Sequence, residues 1–182
     1  MTIDRHIVND MNTDIMSVYK HMKNVRFVDE VNAEIVKFVN LPTVEAQKEY
    51  HLNNVLKLNA GCANDRIQAL RFLMYVRVCY RSMLKQVNGK YTNRSINLRP
   101  LKGHSTTNVS FVKNLTSLLE SVECMSRDFV DVINEFGDDE GNFLFCDPPY
   151  LECDTPNILY GCEFNKTHYD VLFDLFSALL LK

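Results

Sequence analysis

The chain has 182 residues, of which 46% are hydrophobic and 24% charged, and a formal net charge of −3; this is ordinary globular composition, with room for one domain and an inserted subdomain. No apolar run approaches 18 residues and the start carries Asp4, Arg5 and His6, so neither a membrane span nor a secretory signal is expected. Six cysteines (Cys62, Cys79, Cys124, Cys146, Cys153, Cys162) show no C-x-x-C spacing, which argues for free thiols in a reducing compartment and against a metal site.

The first strand is expected at His6 to Asn9, ending in Asn9-Asp10. A helix follows from Thr13 or Asp14 as N-cap to about Lys23, with Ile15, Val18, Tyr19 and Met22 on one face. Residues 27 to 40 read as a second helix, stopped by Leu41-Pro42. Thr43 can cap a third, whose apolar positions run to Leu58 and whose end lies near Gly61. Asp65 opens a long helix predicted to reach about Gln86, with Ile67, Leu70, Leu73, Met74, Val78 and Met83 inward and Arg66, Arg77, Arg81 and Lys85 on the other side. Asn88-Gly89 then signals a hairpin.

Asn108 to Leu119 reads as a helix leading to a strand near Val122 to Met125, and Val130 to Phe136 as a helix ended by Gly137. The apolar run Phe143-Leu-Phe-Cys146 reads as a buried strand, cut off at Asp147 by Pro148 and Pro149, which cannot join a ladder. From Asn165 to Lys182 an amphipathic helix is predicted with Tyr169, Leu172, Phe173, Phe176 and Leu179 inward, and His168 as a helix-start residue. Strands are thus expected near 6–9, 122–125 and 142–146.

Charge is segregated along this order. Between Arg66 and Leu119 there are ten Lys or Arg and no Asp or Glu, and all 23 acidic residues lie elsewhere. Such a run reads either as a basic face for a phosphate backbone or as a solvated helix face followed by a basic loop.

Two places combine residue types suited to chemistry at the carboxyl end of a strand, where ligands bind in open α/β sheets. Asp10 is placed to accept hydrogen bonds from sugar hydroxyls, or else is a helix-entry residue. Asp147-Pro148-Pro149-Tyr150 puts a carboxylate, a rigid turn and an aromatic ring together. A capping Asp-Pro turn explains part of that pattern. The alternative is what its resemblance to the catalytic motif of the amino-methyltransferases implies: an exocyclic amine of a base, a poor nucleophile because its lone pair is delocalised, would give its two N–H hydrogens to the Asp147 carboxylate and the Pro148 carbonyl, which favours a pyramidal nitrogen, with Tyr150 stacking on an extruded base.

Asp147-Pro-Pro-Tyr150 resembles the catalytic motif of the amino-methyltransferases. The segment Ile7-Val-Asn-Asp-Met-Asn-Thr-Asp-Ile-Met-Ser-Val-Tyr-Lys20 resembles the second S-adenosylmethionine motif of the Dam-type (D12 class) DNA adenine-N6 methyltransferases. Arg127-Asp128-Phe129 is similar to that family's site for the cofactor adenine, although Asp128 also reads as an N-cap. Tyr160, Phe164 and His168 fall where the family has a loop closing over the target. Cys79 to Thr92 looks like the family's F-N-G-x-x-R recognition segment, with Arg81 in place of Asn, Lys85 in place of Arg and a shorter turn. Base specificity therefore does not carry across, since a lysine cannot reproduce a bidentate arginine contact.

The resemblance, which runs over about residues 3 to 175, implies an α/β, Rossmann-like methyltransferase core, incomplete here, in residues 1–40 and 104–182. A helical and hairpin DNA-recognition insertion would occupy 41–103. It implies site-specific methyl transfer from S-adenosylmethionine to adenine N6 in double-stranded DNA, in the cytoplasm or the host compartment holding that DNA. Asp147, Pro148, Pro149 and Tyr150 would be catalytic, and Asp10, Asp128, Phe129 and Asp147 would bind cofactor. Arg77, Arg81, Lys85, Asn88, Lys90, Tyr91, Arg94, Arg99 and Lys102 would meet DNA, and Tyr160 and Phe164 would close over the base. No metal is implied, because the sulfonium is already an activated group. The family's F-x-G-x-G turn is absent before the first glycine, Gly61, and the final helix is one that should lead to another strand. A second chain or missing segment completing the fold is thus expected, or a non-catalytic DNA-binding relative. Methylation of RNA or a protein amide fits the leading Asp less well.

Overall fold

Six helices have an entry that can be traced, and each opens on a short polar side chain accepting from the first turn: Asn12, Asn24, Thr43, Asn64, Asp128 and Asn165. Each such cap satisfies an orphan backbone donor and contributes about 1 kcal/mol. The structure is a computed structural model that describes residues 5–79, 84, 86–92, 109–149 and 164–181. Its elements run β1 (His6–Asn9), α1 (Thr13–Met22), α2 (Val25–Val39), α3 (Val44–Ala60), α4 (Asp65–Val78), β2 (Gln86–Val87), β3 (Lys90–Tyr91), α5 (Val109–Glu120), β4 (Val122–Met125), α6 (Phe129–Phe136) and α7 (Lys166–Leu180). The result is mixed α/β and mostly helical.

α4 packs on α1, α2 and α3, which is why Ala69, Phe72, Met74, Tyr75 and Val78 are all buried. They join Val18, Phe27, Val31, Ile35, Phe38, Val55, Leu58 and Tyr91 in one hydrophobic core. α2, on the catalytic side of the expected boundary at residue 41, shares this core with the helices beyond it. Arg66 turns back onto α2: its Nε and Nη2 meet both oxygens of Glu30 at 2.8 and 2.9 Å, and its guanidinium lies 5.9 Å from the centre of the Phe27 ring.

β1 and β4 pair in parallel, with His6 opposite Val122 and Asn9 opposite Met125. β2 and β3 form an antiparallel hairpin around Asn88 (φ 52°) and Gly89 (φ 71°). Two successive positive φ values make a turn whose twist matches its strands, the reason for Asn-Gly there. The side-chain amide of Asn59 bonds the N–H and the carbonyl of Tyr91, both at 2.9 Å, and so fastens the hairpin to α3.

Several expectations need correction. The cap of α1 is Asn12, because its side chain accepts from Asp14 and Ile15. α4 stops at Val78, with Cys79 extended, and does not reach Gln86. Eight more helical residues would carry the chain about 12 Å past Val78, away from the Asn59 clasp. Tyr91, expected to face DNA, is 8% exposed. Its ring packs on Phe72 and Tyr75, and its hydroxyl donates to Asp14 at 2.6 Å.

The predicted strand at 142–146 does not form; Phe143 and Phe145 are 87% and 80% exposed. A strand exists only with a partner, and among the described residues β1 and β4 pair only with each other. Asn142 is drawn instead to the end of α6, where its side chain donates to the Phe136 carbonyl at 2.9 Å. On α7, Leu172 is buried but Phe173 is exposed, so the inward face there is narrower than its periodicity implies. Among the described residues no helix is long and apolar enough to cross a membrane, and no three His, Cys, Asp or Glu gather as metal ligands.

Candidate functional site

The carboxyl ends of β1 and β4 lie side by side, so two acids 118 residues apart in sequence emerge at one sheet edge. Asp10 follows β1 directly. Its N–H continues the ladder to the Met125 carbonyl at 3.3 Å, and its Oδ1 accepts from the Asn12 N–H at 2.7 Å. Asp128 follows β4 after Ser126 and Arg127, and its Oδ1 accepts from the Val130 N–H at 2.8 Å as the cap of α6. Each acid thus commits one oxygen to its own turn, and the other carries no hydrogen bond among the described residues.

Side chains hold the two turns together. The Asn9 amide donates through Nδ2 to the Arg127 carbonyl and accepts through Oδ1 from the Arg127 N–H, both at 2.9 Å. From the other strand Ser126 donates its hydroxyl to the carbonyls of Asp10 at 3.0 Å and Met11 at 3.3 Å. Sequence reading missed both residues, because their partners are backbone groups of a segment distant in the chain. The one signal was a polar Asn-Asp pair at a strand end.

The Asp147 segment is anchored by aromatic side chains and not by a sheet. Tyr169 on α7, expected only as a core residue, donates its hydroxyl to the Pro149 carbonyl at 2.5 Å. Its ring meets Phe164 edge-on with centroids 5.1 Å apart, and Phe164 in turn packs on Phe129 at 5.7 Å. Since Phe129 adjoins Asp128, a continuous row of rings links the Asp-Pro-Pro turn to the sheet edge. His168 completes the start of α7: its Nδ1 accepts from the Asn165 N–H, the Asn165 side chain accepts from the His168 N–H, and the imidazole stacks on Phe164 at 5.2 Å. It is a helix-start residue, as expected. Asp147 is exposed, while Pro148 and Pro149 are half-buried.

Of the residues expected to meet DNA, Asn88 and Lys90 sit exposed on the hairpin and Arg77 is exposed at the end of α4. Arg81, Lys85, Arg94, Arg99 and Lys102 lie outside the described residues, as do Tyr150 and Tyr160. The hairpin reaches α1 through the Tyr91–Asp14 hydrogen bond, four residues beyond Asp10.

Two comparisons with known proteins bear on this arrangement. The family model for D12 class N6 adenine-specific DNA methyltransferases matches residues 2–180. The chain is also 27% identical over 148 residues to the type II methyltransferase M.MjaIII of Methanocaldococcus jannaschii, an alignment covering 79% of this chain and 50% of that protein. The chain therefore spans about half the length of this curated relative.

Proposed function

Because the chain belongs to the D12 class of N6 adenine-specific DNA methyltransferases, we propose that it takes part in methyl transfer from S-adenosylmethionine to the N6 amine of adenine in double-stranded DNA. The observation that carries this reading is the row of rings from Phe129 through Phe164 to Tyr169, which joins the Asp-Pro-Pro turn to the edge bearing Asp10 and Asp128. In this reading the parallel pair belongs to a Rossmann-like core, and residues 41–103 serve DNA recognition.

The donor set suits the cofactor. Asp10 and Asp128 each keep one carboxylate oxygen for a ligand; we assign the first to the ribose hydroxyls and the second to the adenine amine, with Phe129 beside the ring. When bound, S-adenosylmethionine supplies a methyl group already activated by its sulfonium. The roles that follow are assigned to this chain's own residues. Asp147 accepts one N6 hydrogen on its carboxylate and the Pro148 carbonyl accepts the other, aided by the fixed φ of the two prolines. Tyr169 engages the next carbonyl, that of Pro149, and leaves the Pro148 oxygen for substrate. We assign Tyr150 to stacking on the extruded base and Tyr160 and Phe164 to its closure. Arg77, Asn88 and Lys90, with Arg81, Lys85, Arg94, Arg99 and Lys102, are assigned to the DNA backbone, where lysine and arginine give salt-dependent affinity.

Transfer of a tritiated methyl group to duplex DNA tests this reading. Asp147→Ala should lower the rate at least about 100-fold while leaving duplex affinity, read by fluorescence anisotropy, nearly unchanged. An unaltered rate would sink the assignment.

A further inference from the structure

We propose that Asn9 is a positioning residue whose amide, clasped to the backbone of Arg127, holds the Asp10 and Asp128 carboxylates at the spacing that one adenosine group requires. The inference rests on the function proposed above and adds a residue to it. The ladder between β1 and β4 ends with Asn9 opposite Met125, and both acids lie beyond that point. Apart from the Asp10 N–H bond to Met125, no backbone hydrogen bond among the described residues ties the two turns together. A primary amide presents a donor and an acceptor side by side, as a peptide group does, so Asn9 adds one more rung in side-chain form. Ser126 closes the clasp in the opposite sense by bonding the Asp10 and Met11 carbonyls. Residue type follows from this. Leucine offers neither group, and ionised aspartate keeps the acceptor for the Arg127 N–H but sets a carboxylate oxygen against the Arg127 carbonyl.

Calorimetric titration of the full chain with S-adenosylhomocysteine and, separately, with adenosine tests the proposal. Asn9→Ala should weaken both ligands about tenfold, the effect of losing roughly one hydrogen bond's worth of preorganisation, and leave duplex DNA affinity unchanged. In methyl transfer the KM for the cofactor should rise more than kcat falls. Asn9→Asp supplies a signature that a merely structural residue would lack. Its carboxyl regains a donor only when protonated, so its affinity relative to the native chain should recover as pH falls from about 6 to about 4, through the usual aspartate value of about 3.9. Should Asn9→Ala fail to fold, Asn9→Asp and Ser126→Ala carry the test, the latter with a loss of a few fold. Native-like affinity in Asn9→Ala, or a flat Asn9→Asp pH ratio together with a neutral Ser126→Ala, would overturn the clasp alone. A native chain that binds neither adenosine ligand would overturn the proposed function beneath it.

Discussion

His51 offers a sharp test of the packing that supports the hairpin. It is 1% exposed on α3, neither ring nitrogen has a hydrogen-bond partner among the described residues, and its ring stacks on Tyr75 with centroids 5.8 Å apart and planes 12° apart. Burial pushes the imidazole down from 6.5 to about 4, because a charge there would be desolvated without compensation. Between those values the unfolded chain binds a proton that the folded chain refuses, so stability rises with pH through the window. Its contribution is fully present above about pH 6.5 and is lost as pH falls toward 4. The whole shift corresponds to about 3 kcal/mol, and about 2 kcal/mol of it is lost between pH 7 and pH 5. Asp65, held below its usual 3.8 first of all by the Ser17 hydroxyl, loses its contribution only at lower pH and does not enter. His51→Leu is similar in volume and removes two unpaired nitrogens. It should be at least as stable as the native chain at pH 7 and about 2 kcal/mol more stable at pH 5. Urea melts at the two pH values measure this directly, and equal losses in the two proteins would refute the reasoning.

Two further substitutions probe the contacts that connect the parts. Tyr169→Phe keeps the ring row but frees the Pro149 carbonyl; it should lower kcat about tenfold with cofactor affinity unchanged, and a matching loss of cofactor affinity in titration would contradict the separate anchoring of the two segments. Tyr91→Phe removes a buried hydroxyl from Asp14 and should cost about 2 kcal/mol in a denaturant melt; a change below about 0.5 kcal/mol would show that the hairpin is not held through α1.

Much of the fold was legible from local signals that carry their own mechanism. Thr43, Asp128 and Asn165 announced helix starts, Asn88-Gly89 announced its turn, and Leu41-Pro42 announced the end of α2, because each depends on neighbours within a few residues. That Asp10 and Asp128 stand where the chain leaves a strand for a helix was legible for the same reason. What failed depended on distant partners. The run Phe143 to Cys146 has the composition of a strand, but composition cannot supply the chain that must lie beside it. Met83 prolonged the helical pattern of α4, yet the hairpin's need to return to Asn59 ended that helix at Val78. Tyr91, in a basic stretch, looked like part of a DNA-facing surface, and only the packing of Phe72 and Tyr75 around it reveals a core residue.

The correction at residues 143 to 147 changes how the two halves of the site are held. Had Asp147 stood at the end of a central strand, one sheet would have fixed the acids assigned above to catalysis and to the cofactor alike, and any loosening of it would have weakened binding and turnover together. In this structure Asp10 and Asp128 are fixed by a ladder, a clasp and two helix entries. The Asp147 turn hangs from one tyrosine hydroxyl and a row of aromatic rings. Among the described residues the two sets of contacts meet only at Asp128-Phe129. Substitutions at Asn9 and at Tyr169 should therefore act on different quantities, cofactor affinity in the first case and turnover in the second. Their effects on kcat/KM should be nearly additive in the double variant, since they share no partner among the described residues.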